Sequence, residues 1–167
     1  IVKPGVFDFV FEDDTKLSYE LKARAKASGN NVHQGVRSND MIYLIMPDRF
    51  VNGDPSNDRY NELRDTLVNR NDPYGRHGGD LAGVKQKLDY LKDLGVTSIW
   101  MTPVLENNMP KMQEGPWWMS GYHGYWITDH YKVDKRFGGN ETYKDLVKAA
   151  HEKGLKLVQD AVYNHVG

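Results

Sequence analysis

The sequence predicts an α/β fold built on a parallel sheet. Three apolar runs, at 41–47, 97–103 and 155–162, alternate with two amphipathic patterns of helical spacing. The first run is continuous rather than alternating, as expected for a strand that is covered on both faces. The order β–α–β–α–β, with long connections at the C-terminal strand ends, indicates parallel strands in a sheet that is either open or closed into a barrel.

Each element has its own local signal. The run "MIYLIMP" is the first predicted strand, "TSIWMTP" the second and "LKLVQDAV" the third. The helix between the first two has apolar residues three to four positions apart and Gly95 as its C-cap; these residues are Leu81, Val84, Leu88, Leu91 and Leu94. The next helix is predicted to begin with Asn140 as its N-cap and to end at Gly154. Its apolar face consists of Tyr143, Leu146, Val147 and Ala150.

The first 22 residues differ from the rest in pattern. Apolar residues alternate with polar ones on both sides of the polar stretch "EDDTK", which predicts a β-hairpin. The alternating residues are Phe7, Phe9, Phe11, Leu17, Tyr19 and Leu21. Because an isolated hairpin is only marginally stable, it should belong to a larger sheet. Residues 23–39 are basic and punctuated by small residues, which suits a linker to the α/β portion at 40–167.

Composition excludes several classes of function. The 167 residues contain 22 Lys and Arg against 23 Asp and Glu, and the net charge of −1 does not favour nucleic acid or an anionic membrane as a partner. With Cys 0, disulfides, thiolate catalysis and zinc–thiolate sites are excluded. No apolar stretch approaches the ~20 residues that span a bilayer. The chain begins with Ile1, so we expect a mature form or a piece of a longer protein.

A polar loop after the first strand carries a concentration of oxygen ligands. Its sequence, "RFVNGDPSNDRY", provides Asn52, Asp54, Asn57 and Asp58, with Gly53 turning the backbone. Hard cations such as Ca²⁺ take six to eight oxygens, which such a loop can supply, although the spacing is not that of an EF-hand. The alternative is a solvated Asn/Asp turn.

The segment "HGGDLAG" leads into the first helix. It lacks both the spacing and the preceding strand of a dinucleotide-binding fingerprint, so nucleotide binding is rejected. Asp80 lies near the start of the helix. It is expected to act at the helix N-terminus and could also reach the polar loop.

Aromatic and polar residues are mixed in "GYHGYWITDHY" at 121–131. Sugars present flat C–H faces to aromatic rings and hydroxyls to polar side chains, so this mixture is typical of carbohydrate sites. A loop that folds over its own aromatic core is the alternative. Zinc is disfavoured because no two histidines show a short ligand spacing on one helix; the histidines considered are His77, His123, His130 and His165.

The third strand leads into "DAVYNH", which closes the set of candidate motifs. Asp160 and His165 are a candidate catalytic dyad; the alternative is that Asp160 is a strand-end carboxylate in a satisfied hydrogen-bond network and that His165 is simply buried. In parallel α/β architectures, ligands bind beyond the carboxyl ends of the strands. The three strand ends carry Asp48, Thr102 and Asp160, so the unusual residues lie where chemistry is expected.

Taken together, four strings resemble the α-amylase family of (β/α)₈-barrel glycosidases, glycoside hydrolase family 13. They are "IYLIMPDRFVNGDPSND", "GGDLAGVKQKLDYLKDLGVTSIWMTPV", "GYHGYWITDHYKVDKRFG" and "DAVYNH", and they occur in the family's order over about residues 40–167. The first string, with "YELKAR" ahead of it, is most similar to the neopullulanase and cyclomaltodextrinase subgroup.

This resemblance implies a domain organisation. Residues 40–167 would be the N-terminal portion, about three β/α units, of a (β/α)₈ TIM barrel that ends at the junction with the inserted domain after strand three. Residues 1–22 would be the last hairpin of an N-terminal β-sandwich domain. The catalytic nucleophile and general acid of the family lie on later strands, so this chain alone is expected to be inactive.

The resemblance also implies roles for individual residues. Tyr125 would stack on the glucose ring in subsite −1, with His123 and Trp126 beside it. His165 would bind the 6-hydroxyl of that sugar, and Asp160 would order the site from the strand end. Six positions match a Ca²⁺ site, namely Asn52, Asp54, Asn57, Asp58, Gly78 and Asp80.

The activity implied is that of a retaining glycoside hydrolase acting on α-1,4 or α-1,6 bonds of starch, pullulan or cyclodextrins. Such enzymes use two carboxyls roughly 5–5.5 Å apart, and no pair in this chain is a good candidate. The implied partners are an α-glucan oligosaccharide, the remainder of its own chain and, in a homodimer of the full-length enzyme, a second copy. The substrate class favours a periplasmic or extracellular location. The alternatives are a non-catalytic carbohydrate-binding protein with a degenerate amylase barrel, or an open-sheet α/β protein with an unrelated ligand.

Overall fold

The computed structural model describes residues 3–22 and 35–167. The chain divides into two compact units, Ile1–Gly35 and Val36–Gly167. Most of the predicted linker at 23–39 lies outside the described residues. None of the helices in the described part of the chain has the length and apolarity that a transmembrane span requires.

The first unit contains the predicted hairpin. Strand β1 (Gly5–Val10) pairs antiparallel with β2 (Lys16–Leu21), with Phe7 opposite Tyr19 and Phe9 opposite Leu17. The connecting turn is closed by hydrogen bonds between Phe11 and Thr15 and between Asp14 and Phe11. The hairpin prediction is confirmed, whereas its membership of a β-sandwich domain stays a prediction.

The second unit is built on a three-stranded parallel sheet of order β3–β4–β9. These strands are Ile42–Ile45, Ser98–Met101 and Lys156–Gln159, in register so that Tyr43, Ile99 and Leu157 are neighbours. All three predicted strands are therefore present and parallel. They are parallel because each is separated from the next by helical segments that return the chain to the same end of the sheet.

Helices cover one face of this sheet. The first predicted helix is divided into α1 (Leu81–Gln86) and α2 (Leu88–Asp93) at Lys87, whose N–H bonds to Val84 O in a tighter turn. Helix α3 (Gly139–Glu152) packs on α1. The shared core contains the predicted apolar faces together with the sheet residues Ile45, Ile99 and Met101, and the helical members are Leu81, Val84, Leu88, Leu91, Leu146 and Ala150.

Two local predictions are wrong. Leu94 is exposed because α2 ends one residue earlier. Asn140 is not the N-cap of α3, which Gly138 occupies; its side chain instead accepts a hydrogen bond from Val133 N. In the first strand of the sheet, Tyr43 and Ile45 pack on the helices, and Ile42 and Leu44 lie on the opposite face, which the described residues leave uncovered.

The long connection between β4 and α3 contains short strands rather than the loop that its composition suggests. Strand β5 (Leu105–Glu106) pairs with β8 (Asp129–Val133), and β6 (Met112–Glu114) pairs with β7 (Trp117–Met119) in a small hairpin. These pairs divide the connection into an aromatic segment at 121–127 and a projecting hairpin at 112–119.

A buried ionic network, which the sequence did not suggest, fixes this connection. Arg136 donates from Nε and Nη2 to the carboxylate of Asp134 at 3.0 and 2.6 Å, and from Nη1 to Asp65 O at 3.0 Å. It also donates to Asn107 O at 2.6 Å, and Arg76 pairs with Asp65 at 3.4 Å. Burial alone would raise the pKa of Asp134, but Arg136 and Arg76 outweigh it and hold that pKa low.

Loss of one buried partner should be far more damaging than loss of an exposed pair. Asp134→Ala in the full-length protein should lower the free energy of unfolding by about 3–5 kcal/mol, because the Arg136 guanidinium would stay buried without its carboxylate. Glu141→Ala is the matched control, since it removes an exposed pair with Lys144 (2.7 Å) and should cost at most about 0.5 kcal/mol. Urea denaturation measures both, and equal losses would contradict the role assigned to the network.

Candidate functional site

The carboxyl ends of the three parallel strands meet at one edge of the sheet, as the fold requires. Asp48 follows β3 within a 3₁₀ turn, Thr102 follows β4 and Asp160 follows β9. Asp48 and Thr102 are buried, and Asp160 is half-buried. This edge is where α/β proteins bind ligands, and the aromatic segment at 121–127 contacts it through Tyr125.

Tyr125 and Asp160 form the centre of the site. The Tyr125 hydroxyl donates to Asp160 Oδ2 at 2.9 Å, and Trp100 Nε1 on β4 donates to the same oxygen at 3.2 Å. Burial, and then the neighbouring Asp160 carboxylate, raises the pKa of Tyr125. The phenol therefore stays protonated and holds its ring in one orientation against the strand end.

His165 meets the same tyrosine from the C-terminal side. Its Nε2 donates to the Tyr125 carbonyl at 2.9 Å, and the Asn164 side-chain amide lies 3.1 Å from Nδ1. Both ring nitrogens are thus engaged, and the Asp160–His165 dyad considered from the sequence is not formed. Instead, Asp160 binds the hydroxyl of Tyr125 and His165 binds its backbone carbonyl.

His123 lies within the aromatic segment and packs against two of its rings. Its ring stacks on Tyr125 with centroids 5.8 Å apart and meets Trp126 edge-on at 4.7 Å. Nδ1 accepts a hydrogen bond from Tyr125 N at 3.0 Å. Burial and, to a lesser extent, the charge of Arg76 lower the pKa of His123 to about 4, so the ring is neutral and can act as this acceptor.

The segment is shaped by its backbone contacts. Gly124 has φ +88°, and a Cβ there would lie 1.9 Å from Pro103 O, so only glycine allows this approach to the end of β4. Asn107 Nδ2 donates to Gly121 O at 2.9 Å, and Asn107 itself is bound through its carbonyl by Arg136. The ionic network thereby positions the aromatic segment.

Three residues of the site were missed from the sequence. Arg49 places its guanidinium 3.7 Å from the centroid of the Tyr122 ring and also pairs with Asp48. Trp100 and Asn107 bind Asp160 and Gly121 as described above. Arg49 and Trp100 could have been found, since one directly follows a strand-end aspartate and the other is an indole within a strand. Asn107 carries no sequence signal.

The polar loop follows β3 at the same edge of the sheet, and Asp80 holds its backbone in place. Oδ1 of Asp80 accepts from Gly53 N and Gly83 N at 3.0 and 2.7 Å, and Oδ2 accepts from Asp54 N and Asn57 Nδ2 at 2.9 and 3.0 Å. Asp80 is therefore the N-cap of α1, as expected, and it also clamps the loop against the helix. All of its acceptor positions are used.

The remaining predicted ligands form a crowded, incompletely satisfied group. Asn52 Nδ2 donates to both carboxylate oxygens of Asp58 at 2.8 and 3.0 Å. The Oδ1 atoms of Asn52 and Asn57 are buried without a hydrogen-bond partner. Burial raises the pKa of Asp58, as do the carboxylates of Asp80, Asp48 and Asp54, although the Asn52 hydrogen bond opposes this. Gly78 adopts φ +82°, and a Cβ there would lie 2.6 Å from Asp58 Oδ1.

Asp54 lies close enough to raise the pKa of Asp58, but its side-chain hydrogen bonds go to Ser56. Its Oδ1 accepts from the backbone and hydroxyl of Ser56 at 3.1 and 2.6 Å, which caps the short turn Pro55–Asn57. Among the described residues, no group of three or more His, Cys, Asp or Glu side chains is arranged to hold a metal. A metal in this loop would depend on amide and backbone oxygens as much as on carboxylates.

Asp48 connects the two parts of the site. Its carboxylate accepts from His77 N at 3.1 and 3.0 Å and from Gly78 N at 3.4 Å, which fixes the backbone beside Asp58. It also pairs with Arg49, which lies over Tyr122. Burial raises the pKa of Asp48 despite these donors and the nearby charges of Arg49 and Arg76.

Comparison with known proteins supplies the family. Residues 44–167 match the family described as "Alpha amylase, catalytic domain". This chain belongs to the α-amylase family. The three parallel strands are accordingly the N-terminal portion of the family's (β/α)₈ barrel, and the open-sheet alternative is excluded.

Named relatives of this chain act on α-glucans. The chain is 43% identical over 130 residues to a β/α-amylase of Paenibacillus polymyxa, 37% over 137 residues to a cyclomaltodextrinase of Thermoanaerobacter pseudethanolicus, and 37% over 134 residues to a periplasmic α-amylase of Escherichia coli. These matches cover 78%, 78% and 77% of this chain but 10%, 20% and 19% of the relatives. A crystal structure of an Anoxybacillus α-amylase matches with a TM-score of 0.64 and 46% identity, over 77% of this chain and 25% of that one.

Proposed function

We propose that these residues are the N-terminal part of a retaining glycoside hydrolase that cleaves α-1,4 or α-1,6 glucosidic bonds in starch, pullulan or cyclodextrins. The observation that carries the proposal is the arrangement of Tyr125, Asp160 and His165 at the carboxyl ends of strands in an α-amylase-family barrel. The chain spans only a small share of its relatives' length. This supports the part of the proposal that places the catalytic carboxylates on later strands of the barrel.

In this proposal the chain supplies subsite −1. The Tyr125 ring would stack on the C–H face of the glucose unit, with His123 and Trp126 supporting it from behind. The exposed His165 imidazole would bind the 6-hydroxyl, which would replace Asn164 as the partner of Nδ1. Asp160 acts through Tyr125, because its carboxylate fixes the phenol by a 2.9 Å hydrogen bond.

The polar loop is proposed to hold one Ca²⁺ ion through oxygens of Asn52, Asp54, Asn57, Asp58, Gly78 and Asp80. The residues fit the ion, because two buried amide oxygens have no partner and the Asp58 carboxylate faces uncompensated negative charge. In each of the pairs Asn52–Asp58 and Asn57–Asp80, an amide group now faces a carboxylate. Rotating either asparagine amide by a half-turn would place its oxygen beside the carboxylate. A cation between the two oxygens would stabilise that arrangement. The ion would serve a structural purpose.

The proposed partners are an α-glucan oligosaccharide and the downstream part of its own polypeptide, and a homodimer of the full-length enzyme stays a prediction. A periplasmic or extracellular location suits a substrate that is polymeric, and one relative is named periplasmic.

The function is tested by comparing the full-length enzyme with residues 1–167 alone. The full-length enzyme should release reducing sugars from starch, pullulan or cyclodextrins, with retention of the anomeric configuration observed by NMR. Residues 1–167 should release none, because a retaining mechanism needs a nucleophile and an acid that this chain lacks. Binding of maltooligosaccharides by the full-length protein without any hydrolysis would favour the non-catalytic carbohydrate-binding alternative.

Tyr125 and His165 should act on the chemical step. Interactions that strengthen in the transition state raise kcat, whereas uniform binding only lowers KM. Tyr125→Ala and His165→Ala should each reduce both kcat and kcat/KM by roughly ten- to a hundredfold, corresponding to ~1.5–3 kcal/mol. Tyr131→Ala is the control, since that ring is 92% exposed and should leave turnover unchanged. An unchanged kcat in well-folded His165→Ala enzyme would remove His165 from the site.

Calcium should be needed for stability and not for chemistry. Chelation should lower the melting temperature of the wild type, since a ligand at a hundredfold excess over its Kd contributes about 2.7 kcal/mol. Asp58→Asn should abolish this response, and without calcium it should be at least as stable as the wild type because it relieves repulsion around Asp58. Asp93→Asn, an exposed carboxylate on α2, should respond to chelation as the wild type does. Identical melting curves with and without chelator in the wild type would eliminate the calcium site.

A further inference from the structure

The β6–β7 hairpin carries two tryptophans that the proposed site does not use. Trp117 and Trp118 are 52% and 59% exposed, and being adjacent on one strand they project from opposite faces of the hairpin. Tryptophan is enriched at binding interfaces because its large apolar ring also carries an N–H donor. The two residues differ in their surroundings, and that difference indicates which one is built to bind.

Trp117 is held in a fixed orientation. Its indole stacks on Tyr74 with ring centroids 4.9 Å apart and an interplanar angle of 22°. The backbone below is fastened by Ser120 N donating to Tyr74 O at 2.8 Å, and Lys111 binds Asp72 at 3.0 Å. Stacking on Tyr74 restricts the rotamers of the indole before any ligand arrives, which favours binding.

A continuous set of contacts leads from this pair to Tyr125. Arg49 Nη2 donates to the carbonyl of Pro73, the residue before Tyr74, at 2.9 Å. The Arg49 guanidinium lies on the Tyr122 ring, the Tyr122 and His123 rings are 5.6 Å apart, and His123 stacks on Tyr125. Trp117 and the proposed subsite are thus anchored to one framework rather than to independently moving loops.

The chemistry of the pair fits a neutral sugar ring. One face of the Trp117 indole is occupied by Tyr74, and half of the residue is still accessible to solvent. The flat C–H face of a glucopyranose can stack on such a surface without the desolvation of a charge. A polymeric ligand at Tyr125 carries further glucose units, each of which presents the C–H face that a second aromatic surface on the same framework would bind.

We propose that Trp117, supported by Tyr74, is an accessory subsite that stacks on a glucose unit of the same α-glucan chain bound at Tyr125. This inference rests on the proposed function and extends it to chain-length preference. Long chains contact both surfaces, whereas the shortest substrates contact only the Tyr125 subsite. Trp118 faces away on the other side of the hairpin, beside Gln113, and takes no part.

The test uses the full-length protein and compares Trp117→Ala with its neighbour Trp118→Ala. Trp117→Ala should raise KM for soluble starch and maltoheptaose about three- to tenfold, with kcat and the KM for maltotriose unchanged. Trp118→Ala should stay within twofold of the wild type on every substrate. Native electrophoresis in gels that contain soluble starch provides a readout without turnover, in which Trp117→Ala should be retarded less than the wild type. Trp117→Phe, which keeps a stacking face, should recover most of the retardation.

The outcomes separate this inference from the proposed function. If the wild type hydrolyses starch but Trp117→Ala matches it on long chains, the accessory subsite is overturned and the function stands. A change in oligomeric state of Trp117→Ala with unchanged starch affinity would also overturn it, since the indole would then be a protein contact. A wild type that neither binds nor cleaves any α-glucan would overturn both.

Discussion

The buried guanidinium of Arg136 is the interaction on which the rest of this structure depends. It binds three segments that are distant in sequence, through the Asp134 carboxylate and the carbonyls of Asp65 and Asn107. A desolvated cation costs several kcal/mol unless its donors are satisfied. The three segments are therefore held in the positions from which their acceptors can bind the guanidinium. Because Asn107 in turn holds Gly121, the orientation of the aromatic segment follows from this requirement.

Charge is balanced in one part of the molecule and left unbalanced in another. Around Asp134 the arginines keep the carboxylate ionised in spite of its burial. Around Asp58 the carboxylates of Asp80, Asp48 and Asp54 add to the effect of burial and raise its pKa, and the side-chain partner of Asp58 is the neutral Asn52 amide. The first arrangement is complete by itself, while the second has the excess of negative charge and unpaired oxygens that a bound cation would satisfy. Asp48 links the Asp58 region to the aromatic segment, since it accepts a hydrogen bond from Gly78 N and pairs with Arg49, which lies over Tyr122.

The site is an arrangement of supports around a single aromatic ring. Asp160 fixes the hydroxyl of Tyr125, His165 its carbonyl and His123 its backbone N–H, so hydroxyl, carbonyl and N–H are each fixed by a different residue. For the glycoside hydrolysis proposed above, such preorganisation would favour a distorted sugar ring over the relaxed one, which a mobile aromatic ring would not do. Arg49 and the loop at 72–75 continue the same framework outward to the β6–β7 hairpin.

The sequence by itself determined the three parallel strands, the helices between them, the N-terminal hairpin and the residues that gather at the strand ends. Apolar periodicity and capping residues such as Asp80 are local signals, and four motifs in one order identified the family. The tertiary structure alone decided the irregular turn at Lys87, the short strands β5–β8, and the partners of Asn107 and Arg136. Each of these depends on contacts between residues far apart in the chain, and no local pattern encodes them. Tyr125 shows both levels, since its place in the motif was readable from the chain, whereas its bonds to Asp160 and His165 required the fold to bring residues 35 and 40 positions away into contact.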